Sequence, residues 1–193
     1  MPITINGSGT VTGVSVGGLP DGIVDTDMIA NSNVTAAKLA SGVGGKILQV
    51  KEKLMTGSFT TTSTSYSQIA GIEESITLSN SSNKVFVLFK GVNTVQNNSN
   101  TSRRVRAQLY RGSVSSGTVI DYQLTGSWGF SGSGYTYDHS SVILMALDEP
   151  GATSVTYNVG AQRVDSSGGL LEFYGGAEGG SKQTRMLLVE IAP

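Results

Sequence analysis

The sequence of 193 residues contains no cysteine and only one histidine, His139. Without cysteine the chain can form neither disulfides nor thiolate–metal bonds, and it has no thiol nucleophile. A single histidine also excludes a multi-histidine metal site, although one histidine would suffice for a Ser-His-Asp triad. We therefore expect neither a metal ion nor a cofactor.

Charge is also scarce, since charged residues make up 14% of the chain and the net charge is −1. Typical soluble proteins carry about 25% charged residues. This balance gives no general attraction to nucleic acid or to an anionic membrane. The sequence contains no apolar run of about 18 residues, and its first residues do not have the pattern of a secretory signal. We expect no nucleic-acid partner and no membrane insertion.

Glycine is abundant, with 26 residues, and serine, threonine and asparagine are frequent. These residues favour turns and β-structure over long helices. From Lys46 onward, apolar segments alternate with Ser/Asn/Gly turns at a spacing typical of an all-β sandwich, most simply a jelly roll. The predicted strands lie at residues 47–54, 67–78, 85–92, 105–110, 119–124, 135–147, 153–163, 170–173 and 185–191.

Residues 1–45 have few large apolar side chains and contain a weak repeat, in which 23–30 is echoed by 33–40. Each copy predicts a short helical turn capped by a threonine, Thr26 or Thr35. Such turns are too short to be stable alone, so the segment is either disordered or ordered by another chain. The spaced apolar residues favour a stem intertwined with identical chains, followed by a head domain at 46–193.

Three predicted strands are apolar at consecutive positions, in the segments 85–89, 142–147 and 186–189. A strand with one wet face should alternate apolar and polar residues. Either these strands lie beneath a long loop, or one sheet of each protomer packs against identical copies. We favour self-association into a homotrimer. The predicted trimer-interface residues are Val85, Val87, Phe89, Leu187 and Val189.

Four stretches carry a resemblance to a known family. They are MPITINGSGTVTGV at 1–14, VTAAKLASG at 34–42, GGKILQV at 44–50 and LLVEIA at 187–192. Together they resemble the short fibre-like virion proteins of tailed marine and cyanobacterial bacteriophages. The resemblance implies a homotrimer with a C-terminal jelly roll of the C1q/tumour-necrosis-factor kind, on a chain-entwined stem that attaches to other virion proteins. It implies no catalytic residues.

Residues that could support catalysis are few. His139 follows Asp138, but neighbouring residues of a strand point to opposite faces, so Asp138 cannot orient His139 as in a triad. The pairs Glu73–Glu74 and Asp148–Glu149 could supply two carboxylates for glycoside hydrolysis, yet solvated charge at strand edges is the simpler interpretation. We predict that the protein is not an enzyme.

Two groups of residues favour binding to a host-surface glycan. The first comprises Trp128, Phe130, Tyr135 and Tyr137, because aromatic faces stack on sugars; alternatively, Trp128 and Phe130 pack on one face of a strand. The second group could bind acidic sugars or phosphate, or could simply be solvated, and comprises Arg103, Arg104, Arg106 and Arg111, with Arg104 and Arg106 as the favoured pair.

These observations predict a trimeric tail fibre on the exterior of a bacteriophage virion, with a glycan-binding head. A capsid decoration or head-fibre protein would need the same parts, and an enzyme that degrades capsule or lipopolysaccharide is a third hypothesis.

Overall fold

The computed structural model describes residues 4–5, 11–12, 29, 33–35, 38–39, 46–97, 103–127, 136–164, 170–175 and 183–193. The chain divides into two units, Met1–Gly45 and Lys46–Pro193. In the first unit, β1 (Thr4–Ile5) pairs antiparallel with β2 (Val11–Thr12). The backbone N–H of Lys38 donates to the carbonyl oxygen of Thr35 at 2.9 Å, which closes one short turn in the second copy of the repeat. Thr26 and most of the first copy lie outside the described residues.

The second unit is built from strands. They are β3 (Ile47–Leu54), β4 (Ser58–Thr61), β5 (Ser67–Gln68), β6 (Glu74–Thr77), β7 (Lys84–Asn97), β8 (Arg103–Arg111), β9 (Thr118–Ser127), β10 (Thr136–Asp148), β11 (Ser154–Arg163), β12 (Leu171–Tyr174) and β13 (Arg185–Ile191).

These strands form two antiparallel sheets. In the first sheet the order is β3-β13-β7-β10, with β12 and β4 extending the side of β7 that β13 also occupies. In the second sheet the order is β9-β8-β11, with β6 and β5 both pairing with the far side of β11. Eight strands can be numbered along the chain if β5 and β6 count together as strand 2 and the short strands β4 and β12 are left out. The first sheet, β3-β13-β7-β10, then reads 1-8-3-6, and the second sheet, β6-β11-β8-β9, reads 2-7-4-5. This connectivity is that of a jelly-roll β-sandwich.

The predicted strand at 67–78 is split in the structure. Between β5 and β6 the backbone of Gly71 has a φ of 82°, a left-handed conformation that favours glycine and ends the strand. Strand β4 lies between the predicted strands 47–54 and 67–78, where no strand was predicted, and it pairs with β12, where Phe59 lies opposite Phe173. The sequence pattern was therefore right about an all-β sandwich, but it missed β4 and the break within 67–78.

The core lies between the inner faces of the sheets. The largest fully buried side chains are Tyr157, Phe89, Phe173, Ile69, Ile72, Ile76, Leu109, Leu144, Leu171, Met186 and Leu188. The rings of Phe89 and Phe173 pack with centroids 6.4 Å apart. Gly91 lies under both rings, because a Cβ there would stand 2.7 Å from Phe173 Cε1 and 2.8 Å from the Phe89 ring. A side chain at position 91 would therefore force these two rings apart.

A buried carboxylate fixes one end of the sandwich. Glu190 on β13 is 1% exposed and accepts hydrogen bonds from Gln49 Nε2 at 2.5 Å, Asn83 Nδ2 at 2.6 Å and the backbone N–H of Ser79 at 2.6 Å. Burial raises the pKa of Glu190, but the hydrogen bonds from Gln49, Asn83 and Ser79 outweigh it and hold that pKa below its ordinary value. Glu190 thus ties the turn between β6 and β7 to the first sheet.

We expect Glu190→Gln to lower the free energy of unfolding by about 2 kcal/mol at pH 7, because an amide nitrogen would then face hydrogen-bond donors. Since the folded pKa is lowered, this stabilisation is present above the ordinary glutamate pKa and is lost as the pH falls through the folded value. The difference between the two proteins should therefore shrink below about pH 4. Denaturant unfolding at pH 7 and pH 3 measures it.

The matched control is Glu73→Gln in the turn between β5 and β6. Glu73 is exposed and accepts a hydrogen bond from Gln68 at 2.9 Å, and such surface substitutions change stability little. An equal loss of stability in the Glu73 and Glu190 variants would contradict the role given to Glu190.

Candidate functional site

The outer face of the first sheet carries a contiguous set of apolar side chains, which we call the apolar band. Its members are Val50, Phe86, Leu88, Ile143, Met145, Leu147, Leu187 and Val189. The register places them side by side: Phe86 lies between Leu147 and Val189, and Leu88 lies between Met145 and Leu187. Val50, Met145 and Leu147 are each 57% exposed, although they are apolar. Contiguous exposed apolar surface of this kind marks a site of association.

The band is bordered by charge at both ends. Toward one end lie Lys90 and the ion pair of Glu52 with Arg185, whose atoms are 3.1 Å apart. At the other end Lys84 Nζ lies 2.6 Å from Glu149 Oε1. An apolar centre within a polar rim is the arrangement found at protein–protein interfaces.

The predicted interface residues fall on two different faces. Leu187 and Val189 lie on the outward face with the apolar band, where Leu187 is half-buried and Val189 is only 8% exposed beneath its neighbours. Val85, Val87 and Phe89 are fully buried between the two sheets, so their assignment to an interface is wrong. Because side chains alternate along a strand, the outward-facing residues of the same segment are Phe86 and Leu88.

The lateral seams of the sandwich are closed by side chains. On one side, Gln49 Nε2 and Lys51 Nζ on β3 donate to the carbonyl oxygens of Thr77 at 2.6 Å and Ser75 at 2.7 Å. On the other side, between β9 and β10, the side chains are the acceptors and the backbone N–H groups are the donors.

At that second seam, Gln123 Oε1 accepts from the backbone N–H of Ile143 at 2.7 Å, and Asp121 Oδ2 accepts from that of Met145 at 2.8 Å. Side chains therefore occupy backbone groups that an unprotected sheet edge would offer to another strand.

Of the four predicted arginines, Arg104 and Arg106 lie on the outer face of the second sheet. Arg111 is paired with Asp148, and the side chain of Arg103 lies outside the part of the chain that the structure describes. Arg104 and Arg106 on β8 pair with Gly126 and Leu124 on β9, and Arg106 also lies opposite Gln162 on β11. The structure adds a residue that the sequence pattern missed, Tyr122, which is 68% exposed and pairs with Gln108. The sequence carried no signal for Tyr122, because its polar neighbours Asp121 and Gln123 point to β10 in the assembled fold and leave the tyrosine outside.

The predicted aromatic group is only partly described. Trp128, Phe130 and Tyr135 lie outside the described residues. For Tyr137 the structure describes the backbone alone, which pairs with Gln96 in the first sheet. A glycan contact at these four residues remains a prediction.

The candidate catalytic residues have structural partners. His139 Nδ1 is hydrogen-bonded to Thr94 Oγ1 at 2.7 Å, and Ser140 Oγ donates to Asn93. Glu73 accepts from Gln68 at 2.9 Å, and Glu74 lies 3.4 Å from Lys51.

Asp148 is buried between the sheets. It accepts from Arg111 Nη1 at 3.1 Å and from the Tyr157 hydroxyl at 2.8 Å. Burial, followed by the hydrogen bond to Asp148, raises the pKa of Tyr157. These contacts join β8, β10 and β11. Within the described ranges, no group of three acidic or histidine residues could hold a metal ion. The same ranges include no helix with the length and hydrophobicity of a membrane span.

No family model and no curated protein matches the sequence. Among solved structures, a mutant VP2 protein of infectious bursal disease virus in derived T=1 particles aligns over 75% of this chain, with 16% identity and a TM-score of 0.30. The Gx strain of the same virus aligns over 75% with 14% identity and a TM-score of 0.24. This chain spans 36% of the length of each viral chain. The fold assignment therefore stands on the strand order and register of this chain.

Proposed function

We propose that this chain is a structural subunit of a virus particle, namely a homotrimeric tail fibre. In this proposal residues 46–193 form the head that meets the host surface, and residues 1–45 attach the fibre to other virion proteins. The single observation that carries the proposal is the apolar band, which needs a partner. The resemblance to fibre-like virion proteins supplies the biological setting.

The occupant of the band that we propose is a second copy of the chain. Most soluble oligomers are assembled from identical subunits around a closed symmetry axis. The number of three subunits comes from the resemblance to trimeric fibre-like virion proteins, and in such a ring one part of the band would contact the next subunit and another part the preceding one. The two seams favour association through a face rather than an edge, because side chains already bind the edge groups of Ser75, Thr77, Ile143 and Met145. The charged rim, with Glu52, Arg185 and Lys90, adds groups that can pair across the interface.

Antibody labelling of purified particles tests the location. We expect gold particles at the tail of negatively stained virions, because a fibre must be exposed there to reach the host. Gold distributed over the capsid would replace the tail fibre by a capsid decoration protein. Absence of the chain from purified particles would overturn the whole proposal. Labelling with a pre-immune serum is the control for background.

A further inference from the structure

The outer face of the second sheet combines positive charge with exposed aromatic surface. On β9, Tyr122 and Leu124 stand beside Gln108 and Arg106 of β8, and both β9 side chains are largely exposed. On the other side of β8, the register brings Gln162 opposite Arg106. The amide of Gln108 therefore lies directly beside a tyrosine ring that faces solvent, Arg106 lies two residues along β8 on the same face, and Gln162 lies one strand further on.

The side chains of Tyr66, Tyr110 and Val114 lie beside this polar group on the β11 side of the sheet. Tyr66 packs edge-on against Tyr110, with ring centroids 6.3 Å apart. Val114 covers Gly160 so closely that a Cβ there would lie 2.7 Å from Val114 Cγ1. The hydroxyl of Tyr110 donates to Gln108 Oε1 at 2.6 Å, which holds the Gln108 amide in place and leaves its NH₂ group as the donor.

Arg106 is half-buried, and none of the carboxylates that the structure describes pairs with it. The described outward positions of β8 and β9 include no aspartate or glutamate, since Asp121 points to the seam. Other cations of this unit, such as Arg111 and Arg185, have carboxylate partners. The Tyr66 hydroxyl, which interacts with Arg106, is neutral and supplies no counter-charge. A partly buried guanidinium that has no counter-charge among the described residues favours an anionic ligand, to which arginine can donate two parallel hydrogen bonds.

We propose that this face binds an acidic saccharide, with the sugar carboxylate on Arg106 and a pyranose ring on Tyr122. Gln108 and Gln162 supply hydrogen bonds to sugar hydroxyls. Aromatic surface with a few placed polar groups is the composition of ligand sites in general, and the added charge selects for an acid. The inference rests on the proposed function insofar as a host-facing head requires a receptor. It also places the receptor site on the face opposite the apolar band, which stays open when the band is covered.

Calorimetric titration of the full-length protein with tetragalacturonate and with α2,8-linked tetrasialic acid tests the proposal. We expect binding of at least one acidic probe, no binding of neutral maltotetraose, and an affinity that falls as salt is raised. Arg106→Gln and Tyr122→Ala should each weaken binding at least about tenfold, the equivalent of about 1.4 kcal/mol. Arg106→Lys keeps the charge but not the two-pronged geometry, so its affinity should be intermediate.

The matched control is Lys46→Gln, which removes one positive charge at an exposed position outside this face. Its affinity should equal that of the wild type. The proposal is overturned if neither acidic probe binds, if maltotetraose binds equally well, or if Arg106→Gln binds as tightly as Lys46→Gln. Complete displacement of the sugar by equimolar inorganic phosphate would indicate a simple anion site and overturn it as well. Since labelling of particles is independent of sugar binding, failure here leaves the proposed virion role standing, and the reverse also holds.

Discussion

Substitution of Met145 by lysine is expected to convert the proposed trimer into a folded monomer of about 20 kDa. Met145 lies in the middle of the apolar band and is 57% exposed in the single chain. A lysine there can extend into water in the monomer, but in an assembly its ammonium group would be buried without a partner. The backbone N–H of residue 145 can still bond to Asp121, so β10 should remain intact. We expect the apparent dissociation constant to rise at least about 100-fold.

Sedimentation velocity at micromolar concentration measures this change, with circular dichroism as the check on folding. The wild type should sediment as a species of about three times the 20.0 kDa chain mass. The control is Ser81→Lys, which adds the same charge in the exposed turn between β6 and β7 and should leave the trimer intact. A folded wild-type monomer, or a trimer that Met145→Lys leaves undisturbed, would refute self-association through the band.

Phe89→Ala and Phe86→Ala form a second decisive comparison, because the two rings lie on opposite faces of β7. Phe89 is fully buried against Phe173, so its removal should cost about 3–5 kcal/mol of unfolding free energy. That loss is large beside the typical total of about 5–15 kcal/mol. Phe86 faces the apolar band, so Phe86→Ala should weaken assembly far more than it destabilises the folded chain.

Thermal unfolding and sedimentation of both variants separate the two roles. We expect Phe89→Ala to have a strongly lowered melting temperature and yet to remain trimeric at low temperature. If Phe89→Ala dissociated the trimer while keeping its stability, the burial of Phe89 within one chain would be wrong, and the original assignment of Val85, Val87 and Phe89 to the interface would be restored.

The sequence predicted that strands such as 85–89 would have two apolar faces, but it could not decide which alternate residues point inward. Both sets in this segment are large and apolar, so hydrophobicity alone does not distinguish them. A signal was nevertheless present at the ends of the segment. Lys84 and Lys90 share the parity of Phe86 and Leu88, and lysine side chains rarely point into a core. Parity with the flanking lysines would have placed Phe86 and Leu88 outside.

Strand β9 could not be predicted in the same way. A regular pattern would place Asp121 and Gln123 in solvent and Tyr122 in the core. The structure reverses this, because the two polar side chains bind the backbone of β10, a partner on the other sheet. Contacts between strands of different sheets depend on the assembled fold and leave no local periodicity. The exposed Tyr122 was missed for this reason, whereas Arg104 and Arg106 were selected for their charge, and their role in binding stays a prediction.

The closed seams have a consequence for crowding. Under the proposed fibre role, many identical heads on one particle would meet edge to edge, and open edge strands would then pair and link neighbouring heads into an unlimited array. Here amide and carboxylate side chains of β3 and β9 occupy backbone groups at those edges, so lateral growth by strand pairing is blocked at these positions. The protection is encoded by single side chains rather than by a covering loop. Substitution of Gln49, Asp121 and Gln123 would therefore free these edges for pairing with strands of neighbouring molecules.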